Sequence, residues 1–117
     1  MANFKIYHNP RCSKSRQALK IIRDNGIEPK IVEYLKVQLG KNELEIICKS
    51  LGKRPKEFVR KNEIDFKDNG INELIEDDLA LISAMLKFPK IIERPIVLSG
   101  GEAVIGRPPE NVLKLIN

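Results

Sequence analysis

Cys12 sits in the run His8-Asn9-Pro10-Arg11-Cys12-Ser13-Lys14-Ser15-Arg16, which crowds cationic and hydroxyl-bearing residues around one thiol. A thiol attacks as its thiolate. That form is favoured by nearby positive charge and by the free N–H groups and dipole at a helix N-terminus. This segment offers a helix start, a histidine and three basic side chains. Ser15, three residues on, can place a hydroxyl donor near the sulfur. A redox dithiol would carry a second cysteine there. With serine in its place, Cys12 cannot form the usual active-site disulfide, and another thiol must complete any turnover. The chemistry these residues point to is that of a single-cysteine thiol oxidoreductase.

Other readings of the same residues are blander. A lone cysteine is commonly a small buried apolar residue, but polar neighbours on both sides argue against burial at Cys12. Cys48 is the contrast: it lies among Ile46, Ile47 and Leu51, where a core or half-buried role is expected. The two cysteines form neither a Cys-x-x-Cys pair nor a zinc pattern, so no metal site is expected. A phosphatase-type loop needs a longer span between cysteine and arginine than the three residues separating Cys12 from Arg16. If an oxyanion binds, its arginines come from elsewhere. His8 reads either as structural or as tuning the thiol, and Ser15 either as a plain first-turn residue or as a functional one.

The elements that must position Cys12 follow from periodicity. Phe4-Lys5-Ile6-Tyr7 alternates as a strand, and Pro10 disfavours helix at Asn9. A helix is predicted from about Ser13 to Asn25, with Ala18, Leu19, Ile21 and Ile22 on its apolar face and Gly26 as its stop. Ile31 to Leu35 reads as a second strand, parallel to the first through a right-handed crossover. The middle is helical: Asn42 to Leu51, a short helix from Pro55 through Arg60, and Ile71 to Leu86, which Glu76-Asp77-Asp78 can split in two. Strands return at Pro95 to Leu98 and at Ala103 to Ile105, joined antiparallel through Ser99-Gly100-Gly101-Glu102. A last helix starts near Pro108 or Pro109.

This is the element order of an α/β thioredoxin-like fold: a four-stranded mixed sheet, with a helical insert at about 41–90 between a βαβ half and a ββα half. In that fold the reactive cysteine follows the first strand and opens the first helix, where Cys12 falls. The 117 residues suffice for one domain with one core. Hydrophobic residues make up 42% and charged residues 32%, a globular balance. A net charge of +5 suits an anionic ligand, but no basic stripe interleaved with aromatics marks a nucleic-acid surface. The stretch from Leu79 to Phe88 is too short for a bilayer, which needs roughly 20 residues. No apolar signal segment opens the chain, and a secreted domain of this size would carry more cysteines. A cytoplasmic address is expected, with neither membrane nor nucleic acid as a partner.

At these residues the sequence resembles the glutaredoxin-coupled arsenate reductase family, the ArsC type, over nearly the whole chain. The first motif is Tyr7-His8-Asn9-Pro10-Arg11-Cys12-Ser13-Lys14-Ser15-Arg16, ahead of Gln17-Ala18-Leu19. Further matches are Phe58-Val59-Arg60, Glu93-Arg94-Pro95-Ile96-Val97 and Gly106-Arg107-Pro108-Pro109-Glu110. The chain stops at Asn117, soon after the last helix, and so resembles the short branch of the family.

The resemblance implies reduction of arsenate to arsenite. Cys12 would attack arsenic to give a thioarsenate adduct, with glutathione as co-substrate, glutaredoxin as electron donor and no bound cofactor. It implies Arg60, Arg94 and Arg107 as the oxyanion-contacting residues, and Pro95 as a cis-proline beside the cysteine. Guanidinium forks suit a tetrahedral oxyanion and offset its repulsion of a thiolate. The plain alternatives are a solvated helix residue for Arg60 and loop ion pairs for Arg94 and Arg107. Two other functions compete: a monothiol glutathione-linked oxidoreductase, which Cys-x-x-Ser permits, and an Spx-like regulator of RNA polymerase, which typically needs a cysteine at position 15.

Overall fold

The computed structural model describes residues 3–116. The chain divides into two compact units: residues up to Val37 together with those from Arg94 onward, and residues 38–93.

The first unit is built on a four-stranded sheet ordered β2-β1-β3-β4, from β1 (Phe4–Tyr7), β2 (Lys30–Val32), β3 (Ile96–Ser99) and β4 (Glu102–Ile105). β1 pairs parallel with β2 and antiparallel with β3, and β3 pairs antiparallel with β4, so the sheet is mixed as expected. Helix α1 (Ser13–Asp24) links β1 to β2. It ends where Gly26 adopts a left-handed φ of 78°, a conformation open to glycine without a Cβ penalty. Phe4 and Ile6 of β1, Ala18, Leu19 and Ile22 of α1, Val97 of β3 and Val112 form one buried apolar cluster. The three- and four-residue spacing on α1 supplies its share. The last segment, Pro109–Leu115, is a 3-10 helix rather than the α-helix a long apolar stripe suggests. It packs against α1 and β4.

β2 ends earlier than its composition implies. The chain turns after Val32, with the Lys36 and Val37 N–H groups both donating to the Glu33 carbonyl at 2.9 and 3.0 Å. Tyr34 is buried while Leu35 is exposed, so the alternation continues into a turn.

In the second unit, α2 (Lys41–Leu51) packs against α4 (Asp78–Lys87). Leu44 and Ile47 face inward from α2, and Leu81, Ile82, Ala84 and Met85 from α4. The long 71–86 helix is indeed interrupted. A 3-10 turn at Ile71–Leu74 precedes α4, and Asp77 caps α4 by accepting from the Ala80 N–H at 3.1 Å. A short helix α3 (Ile64–Asp68), with too little periodicity to announce itself, buries Phe66. The helix expected from Pro55 through Arg60 is corrected. Only Pro55–Glu57 is helical, in 3-10 form, and Val59 then pairs antiparallel with Ile92. Extending that bridge, Arg60 N–H donates to the Ile91 carbonyl and Glu93 N–H to the Phe58 carbonyl, at 2.6 and 2.9 Å. Among the described residues no helix is long and apolar enough to cross a membrane.

Candidate active site

Cys12 is the N-cap residue of α1, with extended backbone angles (φ −90°, ψ 121°). A turn delivers it there. Cys12 N–H donates to the Asn9 carbonyl at 3.0 Å, and Arg11 N–H to the Asn9 side-chain oxygen at 3.0 Å. Arg16 pins the same turn by donating to the Pro10 carbonyl at 2.9 Å. No acidic residue occupies the first turn of α1, so the positive end of the helix is left to the sulfur.

Burial pushes the Cys12 thiol up and is the largest single influence. Against it, the Ser15 main-chain N–H, the Arg94 side chain and the Lys14 main-chain N–H at the start of the helix favour the thiolate, and the Arg94 charge adds to them. Together they hold Cys12 below the ordinary cysteine value. Arg107 Nη2 donates to the Cys12 sulfur at 3.7 Å, an ordinary distance for a hydrogen bond to the larger sulfur atom. Cys48 is the opposite case. Burial first, then the charges of Asp78 and Glu45, push its thiol up to about 11.

The side chains around the motif sort themselves differently from expectation. Ser15 is fully buried, and its hydroxyl is engaged by His8 Nδ1 at 2.6 Å and by the Asn9 N–H at 3.1 Å. The Ser15 hydroxyl is therefore committed to this turn, and the influence of Ser15 on the thiol comes from its main-chain N–H. Burial, aided by Arg23 and Arg16 and opposed by Glu33, lowers the pKa of His8. A neutral ring lets the Ser15 hydroxyl donate to Nδ1 while accepting from Asn9. His8 thus braces the turn that holds Cys12.

The sequence-distant arginines reach the sulfur through the hairpin of β3 and β4. Its register pairs Ile96 with Ile105. One step further, Gly106 N–H donates to the Pro95 carbonyl at 2.8 Å. A second step sets Arg94 opposite Arg107, and Arg107 Nε donates to the Arg94 carbonyl at 2.8 Å. The Arg94–Pro95 peptide is cis, as is Arg107–Pro108. Asn111 fastens this end by donating from Nδ2 to the Ile105 and Arg107 carbonyls, at 3.1 and 3.0 Å. Sequence reading passed over Gly106 and Asn111. Counting register outward from the Gly100-Gly101 turn would have found the Arg94–Arg107 pair and Gly106.

Arg60 stands in the second unit. Its Nε lies 3.3 Å from Glu63 and its Nη1 3.0 Å from Glu93, and the three side chains are about a quarter exposed. It is neither helical nor simply solvated. Among the described residues, no group of three or more His, Cys, Asp or Glu side chains is placed to hold a metal ion.

A mixed four-stranded sheet, with a thiol at the first helix N-terminus and two arginines at the hairpin end, defines the class as a thioredoxin-like α/β protein. Comparison with known proteins narrows it. The ArsC family model matches residues 7–115. The uncharacterised Escherichia coli K12 protein YfgD is 44% identical over 96% of this chain and 95% of its own. An arsenate reductase from Haemophilus influenzae is 41% identical, over 95% of this chain and 97% of that one. The solved arsenate reductase from Vibrio cholerae superposes with a TM-score of 0.92 at 39% identity, covering 97% of this chain and 98% of that one. The chain belongs to the ArsC family.

Proposed function

We propose that this protein reduces arsenate to arsenite, with Cys12 as the nucleophile and Arg94 and Arg107 as oxyanion ligands. The observation that carries the reading is the placement of Cys12 at the N-cap of α1, with Arg107 Nη2 3.7 Å from its sulfur and Arg107 bonded to the Arg94 carbonyl at 2.8 Å. A thiolate and an arsenate repel one another. Guanidinium groups at the thiolate offset that repulsion and hold tetrahedral oxygens through charge-assisted hydrogen bonds. Arg60 is proposed with them as a third oxyanion-contacting arginine, on the family resemblance. Pro95 is proposed as the proline whose backbone edge flanks the site.

The proposed reaction consumes two external thiols. The Cys12 thiolate forms an S–As bond and an arsenate oxygen leaves as water. Glutathione displaces a second oxygen, again as water, and forms its own S–As bond. The glutaredoxin thiol then attacks the glutathione sulfur. That S–As bond breaks with its electron pair remaining on arsenic, which falls from As(V) to As(III). The two sulfurs depart as a mixed disulfide. Water releases arsenite and returns Cys12. A cytoplasmic setting, where glutathione is plentiful, fits this scheme.

The test is NADPH consumption by purified protein with arsenate, glutathione, glutaredoxin and glutathione reductase. Turnover that depends on Cys12 and on arsenate supports the reading. No rate above background, with partner proteins shown to be active, overturns it. Transfer of glutathione to disulfide substrates without arsenate would instead indicate a monothiol oxidoreductase.

A further inference from the structure

Gly106 lies opposite Pro95 at the open end of the β3–β4 hairpin, one residue before Arg107. Its backbone is not in the left-handed region, so no turn geometry demands glycine there. Space does. A Cβ on Gly106 would stand 2.8 Å from Pro95 Cγ, 3.3 Å from the Ala18 Cβ of α1 and 3.4 Å from Pro95 Cδ. The first distance is shorter than real Cβ contacts allow. The atoms in the way are a proline ring and a buried helix side chain, neither of which is a flexible end that can swing aside. Pro95, Ala18 and Gly106 are all buried.

The consequence reaches the sulfur through two short links. Gly106 N–H donates to the Pro95 carbonyl at 2.8 Å, and the next residue, Arg107, donates to the Arg94 carbonyl at 2.8 Å. Arg94 and Arg107 are therefore carried on the two segments just beyond β3 and β4, whose separation Gly106 sets, while α1, which carries Cys12, forms the third wall of the same contact through Ala18. Glycine at such a place marks close approach of backbone to a neighbour. A well-packed interior transmits an added methyl as displacement.

We propose that Gly106 is a positioning residue: by carrying no Cβ, it lets the hairpin end close on α1 and so brings Arg94 and Arg107 onto the Cys12 sulfur. It acts through those arginines and touches no substrate. The proposal rests on the reading of Cys12 as a nucleophile served by both.

The experiment compares Gly106→Ala with Gly101→Ala, each in a Cys48→Ser background so that one thiol reports. Gly101 has open space around it and no left-handed φ, so its alanine variant is the matched control. The readout is the pH midpoint of Cys12 alkylation by iodoacetamide, with circular dichroism to confirm folding. Gly106→Ala should move the midpoint upward and slow alkylation at neutral pH about threefold or more, as the thiolate loses its partners. Gly101→Ala should leave both unchanged. In the arsenate assay Gly106→Ala should raise KM more than it lowers kcat. A folded Gly106→Ala protein with the parent's midpoint overturns the proposal. Should that variant fail to fold, the Ala18→Gly/Gly106→Ala double variant takes its place: it removes the 3.3 Å contact with α1 but keeps the tighter 2.8 Å contact with Pro95 Cγ, so a raised midpoint supports the proposal and the parent's midpoint overturns it. A parent without arsenate turnover would defeat the functional reading but leave the thiol titration to judge Gly106.

Discussion

Arg107 Nε donates to the Arg94 carbonyl at 2.8 Å, so one oxyanion-ligand candidate is held in place by the backbone of another. The Arg94 side chain in turn lowers the Cys12 pKa, through hydrogen bonding and charge. The two arginines are consequently not equivalent. Arg94→Ala should raise the Cys12 pKa and slow its alkylation at neutral pH about three- to tenfold. Arg107→Ala should change thiol reactivity less, because Arg94 rather than Arg107 is among the groups that lower the Cys12 pKa. Both should weaken arsenate binding about tenfold or more, read as KM in the coupled assay. Arg107→Lys keeps the charge but lacks the planar fork, and should behave closer to alanine than to arginine.

The two cysteines should separate cleanly by reactivity. Cys12 lies below the ordinary thiol value and Cys48 is pushed up to about 11. Limiting iodoacetamide near neutral pH should label Cys12 almost alone, as peptide mass spectrometry will show. Cys12→Ser should abolish arsenate turnover and Cys48→Ser should leave most of it. Cys48 also has a stability signature. A raised native pKa contributes stability that is complete below the ordinary thiol value of 9.0 and is lost as pH rises through about 11. Cys48→Ala should flatten the alkaline limb of the urea-stability profile.

His8 predicts the opposite limb. Its native pKa is lowered from 6.5 by burial. A lowered value means that the unfolded chain takes up the proton first on acidification. The stability His8 allows is present above about pH 6.5 and falls away as pH drops through the native value. Urea midpoints measured downward from neutrality should decline in the parent. They should decline less in a folded His8→Asn variant.

Ser15→Ala should destabilise the first unit by about 1–3 kcal/mol in urea denaturation, since it strips a fully buried hydroxyl from both His8 and the Asn9 N–H. The Ser15 backbone N–H, which helps to lower the Cys12 pKa, survives this change. Cys12 alkylation kinetics should therefore move less than stability does.

Asp77→Ala removes the cap on α4 and should cost about 1 kcal/mol. Thermal denaturation gives the check. Thiol chemistry at Cys12 should be untouched.

Much of this architecture was legible from residue order. Phe4–Tyr7 was readable because alternation ends at a proline turn, and α1 because its apolar spacing ends at Gly26. The β3–β4 hairpin was readable because Gly100-Gly101 marks a two-residue turn. Cys12 followed from position and neighbours. What escaped did so for local reasons. Tyr34 and Leu35 carry strand-forming side chains, yet the Glu33 carbonyl draws the chain into a turn. The run from Pro55 through Arg60 has a helix-starting proline. Its second half instead takes an antiparallel bridge between Val59 and Ile92, a tertiary partner no local pattern reveals. The ion pairs of Arg60 with Glu63 and Glu93 depend on that bridge. The hydroxyl of Ser15 looked toward the sulfur in sequence, but the nearness of His8 claims it.

The hairpin also has a metric consequence. Arg94 and Arg107 are separated by 13 positions along the chain, and they face each other only because the Gly100-Gly101 tip consumes two residues. The tip therefore works as a counting device. Its composition can drift at Gly101, which has open space and no left-handed φ, but not freely at Gly100, whose φ is 64°. Its length cannot. With a two-residue turn kept, one residue inserted or deleted there would bring Gly106 or Pro108 to face Arg94, and would turn every β4 side chain to the other side of the sheet. Tolerance to insertion, usually greatest at an exposed loop tip, should here be among the lowest in the chain.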